Sequence, residues 1–388
     1  MPIEVTPVRG REDLREFVEL PYRLHAGTKW IPPLKLERYA YLNRTLNPFF
    51  KHGEAELFLA RRHGRIVGRI SAQIDRKFND YHDNRWGLFG FIEFEDDPNL
   101  LRELLAVADR WLRDRGCDRM VGPMDFILNE EAGILFEGYE LEPMLRHPWH
   151  PQYYKQRFDE MGLLKAMDLF HYHLHISDRD ERMLPVMFKV AERARTKYGV
   201  RLRRMSWWHM RRELDEFAKV YNAAWAGNWG FVPYGKEELD EFAITYRLIY
   251  SREFFMVAES DEGTMAIGIT IPDINQVYKK MKGRLLPFGW WYYLNRKRYI
   301  DRCRISFLGV LPEYQHTGVA AVLYLEHFEI AANSPIKWGE AGWILESNHS
   351  MNRALDAMGS TIVKRCRVYE RLFEEGAVRA APPGIELD

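Results

Sequence analysis

The sequence predicts an α/β fold with a mixed sheet, built twice over along 388 residues. Three observations predict it: segments of the first half recur in the same order in the second, each half carries a strand–helix–strand run, and 388 residues suit two domains better than one unbroken core.

The elements pair off in order. FLARRHGRIVGRISAQID from Phe58 matches FFMVAESDEGTMAIGITIPDIN from Phe254: an alternating strand, a polar turn at Gly64 or Gly263, and a returning strand that carries Gly68 or Gly268. Alternation interrupted by a glycine turn predicts a β-hairpin in each half. GLFGFIEF from Gly87 parallels SFLGVLPEY from Ser306, both short apolar strands, and each precedes an amphipathic helix, LLRELLAVADRWLRDRG or GVAAVLYLEHFEIAA. Another strand follows each helix, DRMVGPM or IKWGEAGWIL, so a parallel pairing is expected in each half. Finally, YYKQRFDEMGLLKAMDLFHYHL from Tyr153 matches SMNRALDAMGSTIVKRCRVYERL from Ser350, with Gly162 and Gly359 at the helix C-caps. The charged break SDRDERM, Ser177 to Met183, divides the copies into 1–176 and 177–388.

Composition narrows the function. Lys+Arg and Asp+Glu both number 56, so no global field draws the chain to nucleic acid and any basic site is local. With 46% hydrophobic and 14% aromatic residues, wholesale disorder is excluded. Cys117, Cys303 and Cys366 are few, odd in number and far apart, which argues against a disulfide framework or a Cys-rich zinc site and for a reducing compartment. Glu4, Arg9, Arg11, Glu12 and Asp13 leave no room for the apolar core of a signal peptide. Apolar runs stop short of the roughly 18 to 20 residues that span a bilayer.

In the second half, RISFLGVL runs into PEYQHTGVAAVLYLEHFEIA, a strand, a tight loop and a helix. Gln315, His316, Thr317, Gly318, Val319 and Ala320 fit the pattern Gln/Arg, two residues, Gly, one residue, Gly/Ala. The hexamer alone is weak; its place between strand and helix gives it meaning. There, consecutive backbone N–H groups and the helix dipole face an anion, and Gly318 permits close approach of a pyrophosphate.

At this point the chain resembles the GNAT superfamily of acyl-CoA-dependent N-acyltransferases. The resemblance implies that Leu308 and Val310 on the strand and residues 315–320 in the loop bind coenzyme A. GWILESNHSMNRALDAMG looks like that superfamily's next strand and helix, with Asn348 meeting the pantetheine arm. The first half departs from the pattern: Glu95, Asp96 and Asp97 stand where the loop would be and repel phosphates, so it reads as a non-catalytic copy, the alternatives being that it completes the acceptor pocket or forms a pseudo-symmetric interface with the active half. Gly318→Asp is expected to abolish acyl-CoA binding without unfolding the protein.

Acyl transfer to an amine needs a neutral nucleophile, donors for the oxyanion and an acid for the leaving thiolate. The family's usual Tyr acid is replaced by Leu355, which leaves Tyr369 as a substitute or an unassisted thiolate. The strand position of a carboxylate base holds Arg304, so the base candidates are Glu340 and Glu346, with Asp301 and His349 more remote. Glu346 and Asn348 also suit the start of a helix. Trp225, Asn228, Trp229 and Phe231 fall where the family closes a loop over the acceptor, and offer apolar faces with a few polar contacts; core packing is the alternative. His171, His173 and His175 share one face of a strand, a spacing a metal could exploit, but no clear fourth ligand follows and no metal is expected.

Residues 279–304 interleave Leu285, Leu286, Phe288, Trp290, Trp291, Tyr292 and Tyr293 with Lys279, Lys280, Lys282, Arg284, Arg296, Lys297 and Arg298. Aromatics favour the headgroup region and each basic residue gains about 1 kcal/mol near an anionic leaflet, so a membrane surface is preferred over an ordinary hairpin or single-stranded nucleic acid. The expected location is the cytoplasm, with this stretch at the inner face of the membrane.

The whole chain also resembles a tandem-GNAT bacterial family that includes ceramide synthase-like proteins, through FVELPYRLHAGTKWIPPL, GPMDFILNEEAGILFEGYELEPM, DINQVYKKMKGRLLPFGW and WILESNHSMNRALDAMG. That resemblance implies acyl-CoA as co-substrate and a lipid amine such as a sphingoid base as acceptor. The alternatives are acetylation of a small soluble amine, or a non-catalytic CoA-binding module.

Overall fold

Each stretch expected to be a strand is apolar on at least one face, and the computed structural model, which describes residues 2–374, 376–382 and 385, joins these stretches in a single sheet. The strands are β1 (Glu4–Pro7), β2 (Gly53–Arg62), β3 (Arg65–Asp75), β4 (Trp86–Phe94), β5 (Arg119–Gly122), β6 (Ile134–Glu137) and β7 (Leu164–His175), then β8 (Arg201–Arg204), β9 (Phe255–Ser260), β10 (Gly263–Pro272), β11 (Arg302–Val310), β12 (Trp338–Leu345) and β13 (Thr361–Leu372). They lie in the order β1-β2-β3-β4-β5-β13-β7-β12-β11-β10-β9-β8, and β6 pairs with β13.

The expected hairpins are β2–β3 and β9–β10, both antiparallel. The helices Pro98–Arg113 and Val319–Ala332 cross over between parallel neighbours, β4 with β5 and β11 with β12. In the first of these helices Leu100, Leu101, Leu104, Leu105, Ala108 and Leu112 are fully buried at i, i+3/i+4 spacing, each large side chain contributing about 1.5–3 kcal/mol of burial.

The last strand of each copy crosses to the other. β13 lies antiparallel between β5 and β7, and β7 lies antiparallel between β13 and β12. The sheet therefore runs without a break through both halves, and neither copy's set of strands is complete without a strand from the other. The 176/177 division falls between β7 and the helix Pro185–Tyr198, inside this interlocked arrangement.

Residues 279–304 do not form a hairpin. They hold the end of the helix Asn275–Met281, the helix Gly289–Leu294 and a 3₁₀ turn, Arg296–Arg298, because their aromatics run consecutively rather than alternating.

Candidate active site

The site begins where two parallel strands part. β11 and β12 pair from Arg302↔Trp338 to Ile305↔Ala341 and no further, although both strands continue. Each carries an irregularity there: Ser306 has no partner where β10 pairs Ile269 with Phe307 and Thr270 with Ile305, and the register of β12 on β7 shifts between Ala341 and Ile344. Extra residues bend a strand, so the two diverge and leave a wedge. A cavity of about 420 Å³ fills it.

Nine residues singled out from the sequence meet on its wall. Leu308 and Val310 line it from β11, Gln315 from the loop, Ala320 from the first turn of the helix Val319–Ala332, and Asn348 from beyond β12. Trp225, Asn228, Trp229 and Phe231 come from the segment after the helix Met210–Ala224. Asn348 also caps the helix His349–Ala357, its Oδ1 accepting from the Met351 N–H at 3.2 Å.

The rest of the loop shapes the corner without lining the cavity. His316 is exposed beside Tyr198, with ring centroids 6.0 Å apart. Thr317 is buried, its hydroxyl donating to the Tyr314 carbonyl (2.6 Å) and accepting from the Val319 N–H (3.3 Å). Gly318 has φ +83°, and a Cβ there would stand 2.3 Å from Val190 Cγ1. Glycine is thus demanded by backbone and packing alike, which corrects the expectation that Gly318→Asp would spare the fold.

Glu340, Glu346 and Tyr369, proposed as acid and base, lie off the cavity wall. Glu340 is fully buried: its Oε1 accepts from His147 Nδ1 (2.9 Å), His171 Nδ1 (3.2 Å) and Lys364 Nζ (2.9 Å). Burial alone would raise its carboxyl, but the Lys364 charge and the histidine N–H groups hold it well below the usual carboxylate range. Glu346 binds Lys165 Nζ at 2.9 Å and the Asp168 N–H at 2.7 Å, tying β7 to the end of β12. Tyr369 packs in the first half's core, its ring 5.2 Å from that of Phe158, and burial pushes its phenol far up. The reason is the fold itself: β12 and β13 are paired along both edges, which brings Lys165, His171 and Lys364 to these carboxylates, and the shift on β7 between Ala341 and Ile344 breaks the alternation that relates Glu340 to Glu346. Leu355 is likewise fully buried in the core.

Glu340 meets the wall only through His147. Burial holds that imidazole neutral, so its one N–H goes either to Glu340 Oε1 or, from Nε2 at 3.0 Å, to the Gly342 carbonyl; Arg304 Nε donates to the same carbonyl oxygen at 3.1 Å while its Nη1 donates to the Leu145 carbonyl at 2.5 Å. These bonds fix the wall where the strands part, and Arg304 is the one charged side chain on that wall among the described residues.

Two phenols there escaped the sequence reading. Tyr221 accepts from Asn129 Nδ2 at 3.1 Å, and Tyr324 donates to Met351 Sδ at 3.0 Å. Burial pushes Tyr221 up to about 12 and Tyr324 higher still, so both remain protonated donors at neutral pH. The first half also contributes Leu128 and Asn129. A signal for them existed: 30 residues, 123–152, separate β5 from the helix Tyr153–Asp159, where the second half needs only a short turn between β12 and its helix.

Of the three histidines of β7, His173 and His175 meet edge to face with ring centroids 4.4 Å apart, and His171 is not with them. His171 turns to Glu340, His173 stacks on Trp338 (4.9 Å) and His175 lies 3.3 Å from Thr361 Oγ1. His147, His171 and Glu340 do bring ligand atoms within 4.8 Å of one another, but the Lys364 ammonium 2.9 Å from the carboxylate already supplies its counter-charge and opposes a dication.

No family model matches the chain. It is 34% identical over 378 residues to the bacterial ceramide synthase of Caulobacter vibrioides (strain NA1000 / CB15N), spanning 95% of this chain and 97% of that protein. Protein YghO of Escherichia coli (strain K12) is 30% identical over 369 residues, 93% of each. Among solved structures, a tandem GNAT protein from the clavulanic acid biosynthesis pathway superposes with a TM-score of 0.56 over 98% of this chain and 99% of its own, at 13% identity. A GCN5-related N-acetyltransferase from Sphaerobacter thermophilus gives 0.50 over 84% and 83%, at 11% identity. These last two show the fold, a tandem GNAT architecture.

Proposed function

The chain belongs to the tandem-GNAT acyltransferase family that includes the bacterial ceramide synthase of Caulobacter vibrioides, and from that premise we propose that it transfers a long acyl chain from acyl-CoA to the amine of a lipid, with a sphingoid base as the model acceptor. One observation carries this reading: the parted strands open onto a loop that leads into the N-terminus of a 14-residue helix, and the same cavity is walled by aromatics suited to an apolar partner.

In this reading residues 177–388 form the acyl-CoA-binding copy and 1–176 the degenerate one. Gln315, Ala320 and the backbone of the loop take the pyrophosphate, Leu308, Val310 and Asn348 the pantetheine arm, and Trp225, Asn228, Trp229 and Phe231 the acceptor. The amine nitrogen attacks the thioester carbonyl carbon, the C–S bond breaks, and the amine proton ends on the thiolate sulfur. Arg304 near the reacting carbonyl favours the developing oxyanion and disfavours a protonated amine, while Tyr221 and Tyr324 are phenols within the same cavity for the thiolate.

The surface supports a lipid acceptor. Leu286, Phe288 and Trp291 are 72%, 71% and 51% exposed beside Arg284, Arg296, Lys297 and Arg298, an apolar patch with a basic rim as an anionic bilayer surface would require. Among the described residues no helix is long and apolar enough to cross a membrane.

The absence of a carboxylate or imidazole on the cavity wall among the described residues favours a second reading, a module that binds CoA without turnover. One experiment separates them: purified protein is incubated with acetyl-CoA or palmitoyl-CoA and either sphinganine or a small soluble amine, and thiol release and N-acylated products are followed. Palmitoyl-sphinganine formed faster than any acetylated product is the expected outcome. Products from acetyl-CoA alone would move the assignment to a soluble acetyltransferase, and binding without product to the non-catalytic module.

A further inference from the structure

A second cavity, of about 80 Å³, lies against the first. The two share four wall residues, Leu128, Asn129, Trp229 and Gly230, so one wall between the halves borders both. That wall is closely packed: Gly230 has φ +73°, and a Cβ on it would come within 2.1 Å of Leu128 Cδ2.

Much of the second cavity's lining is apolar. Phe78, Trp86 and Leu88 come from the first copy's framework, Met124 and Phe126 from its long insertion, and Val232 from the second half. Other lining groups are polar and already paired: His52 Nδ1 lies 2.9 Å from Asp75 Oδ1, and Lys77 Nζ donates to Glu238 Oε1 at 2.6 Å. A hydrocarbon chain that reached past the shared wall would gain burial at every methylene set against the apolar lining, and would stop short of these polar pairs, which it could only desolvate without compensation.

We propose that this pocket is an alkyl-chain subsite that measures the length of one reactant, the acyl donor or the lipid amine. The inference rests on the acyltransferase reading for the identity of the chain. It adds a role for the first copy, which then supplies most of the subsite although it lacks a pyrophosphate loop.

The test uses the full chain and binding as its first readout, so that it stands whatever the turnover. Acetyl-CoA and palmitoyl-CoA, the latter below its micelle threshold, and separately a short alkylamine and sphinganine, are titrated by calorimetry into wild type, Val232→Trp and Phe78→Ala. Val232 is half-buried and outside the CoA wedge, so tryptophan there fills the pocket with little demand on the fold; Phe78→Ala enlarges it. Thermal unfolding checks that each variant is folded.

Val232→Trp is expected to weaken one long-chain ligand at least tenfold and leave its short counterpart unchanged, and Phe78→Ala to shift the preferred length upward. Loss confined to palmitoyl-CoA assigns the pocket to the donor, and loss confined to sphinganine to the acceptor. Equal long-chain preference in wild type and both variants, or no such preference in wild type, overturns the subsite. Failure of every acyl-CoA to bind the wild type would instead overturn the functional reading, and sphinganine binding sensitive to Val232→Trp would still support an alkyl pocket.

Discussion

The two copies build the same corner, a strand, a turn and a crossover helix, and finish it in opposite ways. In the second half Gly318 precedes the helix Val319–Ala332 with no side chain to cap it, and the strands beside it part around an open cavity. In the first half Asp97 caps the helix Pro98–Arg113, accepting from the Asn99 N–H at 2.8 Å, while Arg65 pairs with Glu95 and Arg157 with Asp96, each at 2.7 Å. That corner supplies its own anion. Its wedge is closed as well: Met124 donates its N–H to the Phe89 carbonyl at 2.7 Å, Gln73 holds the Met124 carbonyl at 2.7 Å, and Asp125 accepts from the Phe91 N–H at 2.8 Å. One framework thus opens a cavity or closes into a scaffold according to a few side chains and one inserted segment.

The harshest way to break the comparison is to cut the seam between the copies. Lys364 on β13 and Glu340 on β12 come from the second half, while His171 on β7 and His147 come from the first, and all four are buried together. Lys364→Met leaves the Glu340 carboxylate without its cation, which is expected to cost about 3–5 kcal/mol. Because the last strands are exchanged, both halves should melt in one transition at a lower temperature by calorimetry. Two separated transitions, one of them unmoved, would show that the copies are independent units.

What the sequence made legible follows the same division. The hairpins, the crossovers and the loop at 315–320 are local in sequence, each set by alternation, amphipathic period or a glycine, and those elements lie where the pattern put them; nine residues chosen from them and from the family resemblance line one cavity. The acid and base candidates depended on which strands neighbour β12 and β13, and an exchange of final strands leaves no local mark. Glu340 looks like any alternating strand residue until Lys364 and two histidines, distant in sequence, close around it. The contribution of Leu128 and Asn129 was hidden for a related reason: an insertion marks itself by length, but not by which face it will cover.

A sharper probe leaves the fold alone. Gln315 is exposed on the cavity wall, so Gln315→Glu places a negative charge beside the proposed pyrophosphate without entering the core. It imitates the acidic corner of the first copy. Repulsion is expected to cost about 1.4 to 2.7 kcal/mol, a ten- to hundredfold weaker Kd for CoA by calorimetry, with thermal stability unchanged. An unaltered Kd would place the phosphates elsewhere.

The reciprocal change carries the smallest expected effect and asks what closes the first corner. Asp97→Ala removes the cap of its helix and the ion pair with Arg62, at a cost of about 1 kcal/mol and no more than roughly 2–4 °C in Tm. If the Asp97 carboxylate alone kept phosphates out, the variant would expose a helix N-terminus like that beside Gly318, and calorimetry would find a second CoA per chain. The structure gives a different expectation, because Glu95 and Asp96 remain and the segment through Met124 still lies across β4 and occupies the space between the strands. Stoichiometry should therefore stay at one, and a second CoA would show that the Asp97 cap by itself closes the corner.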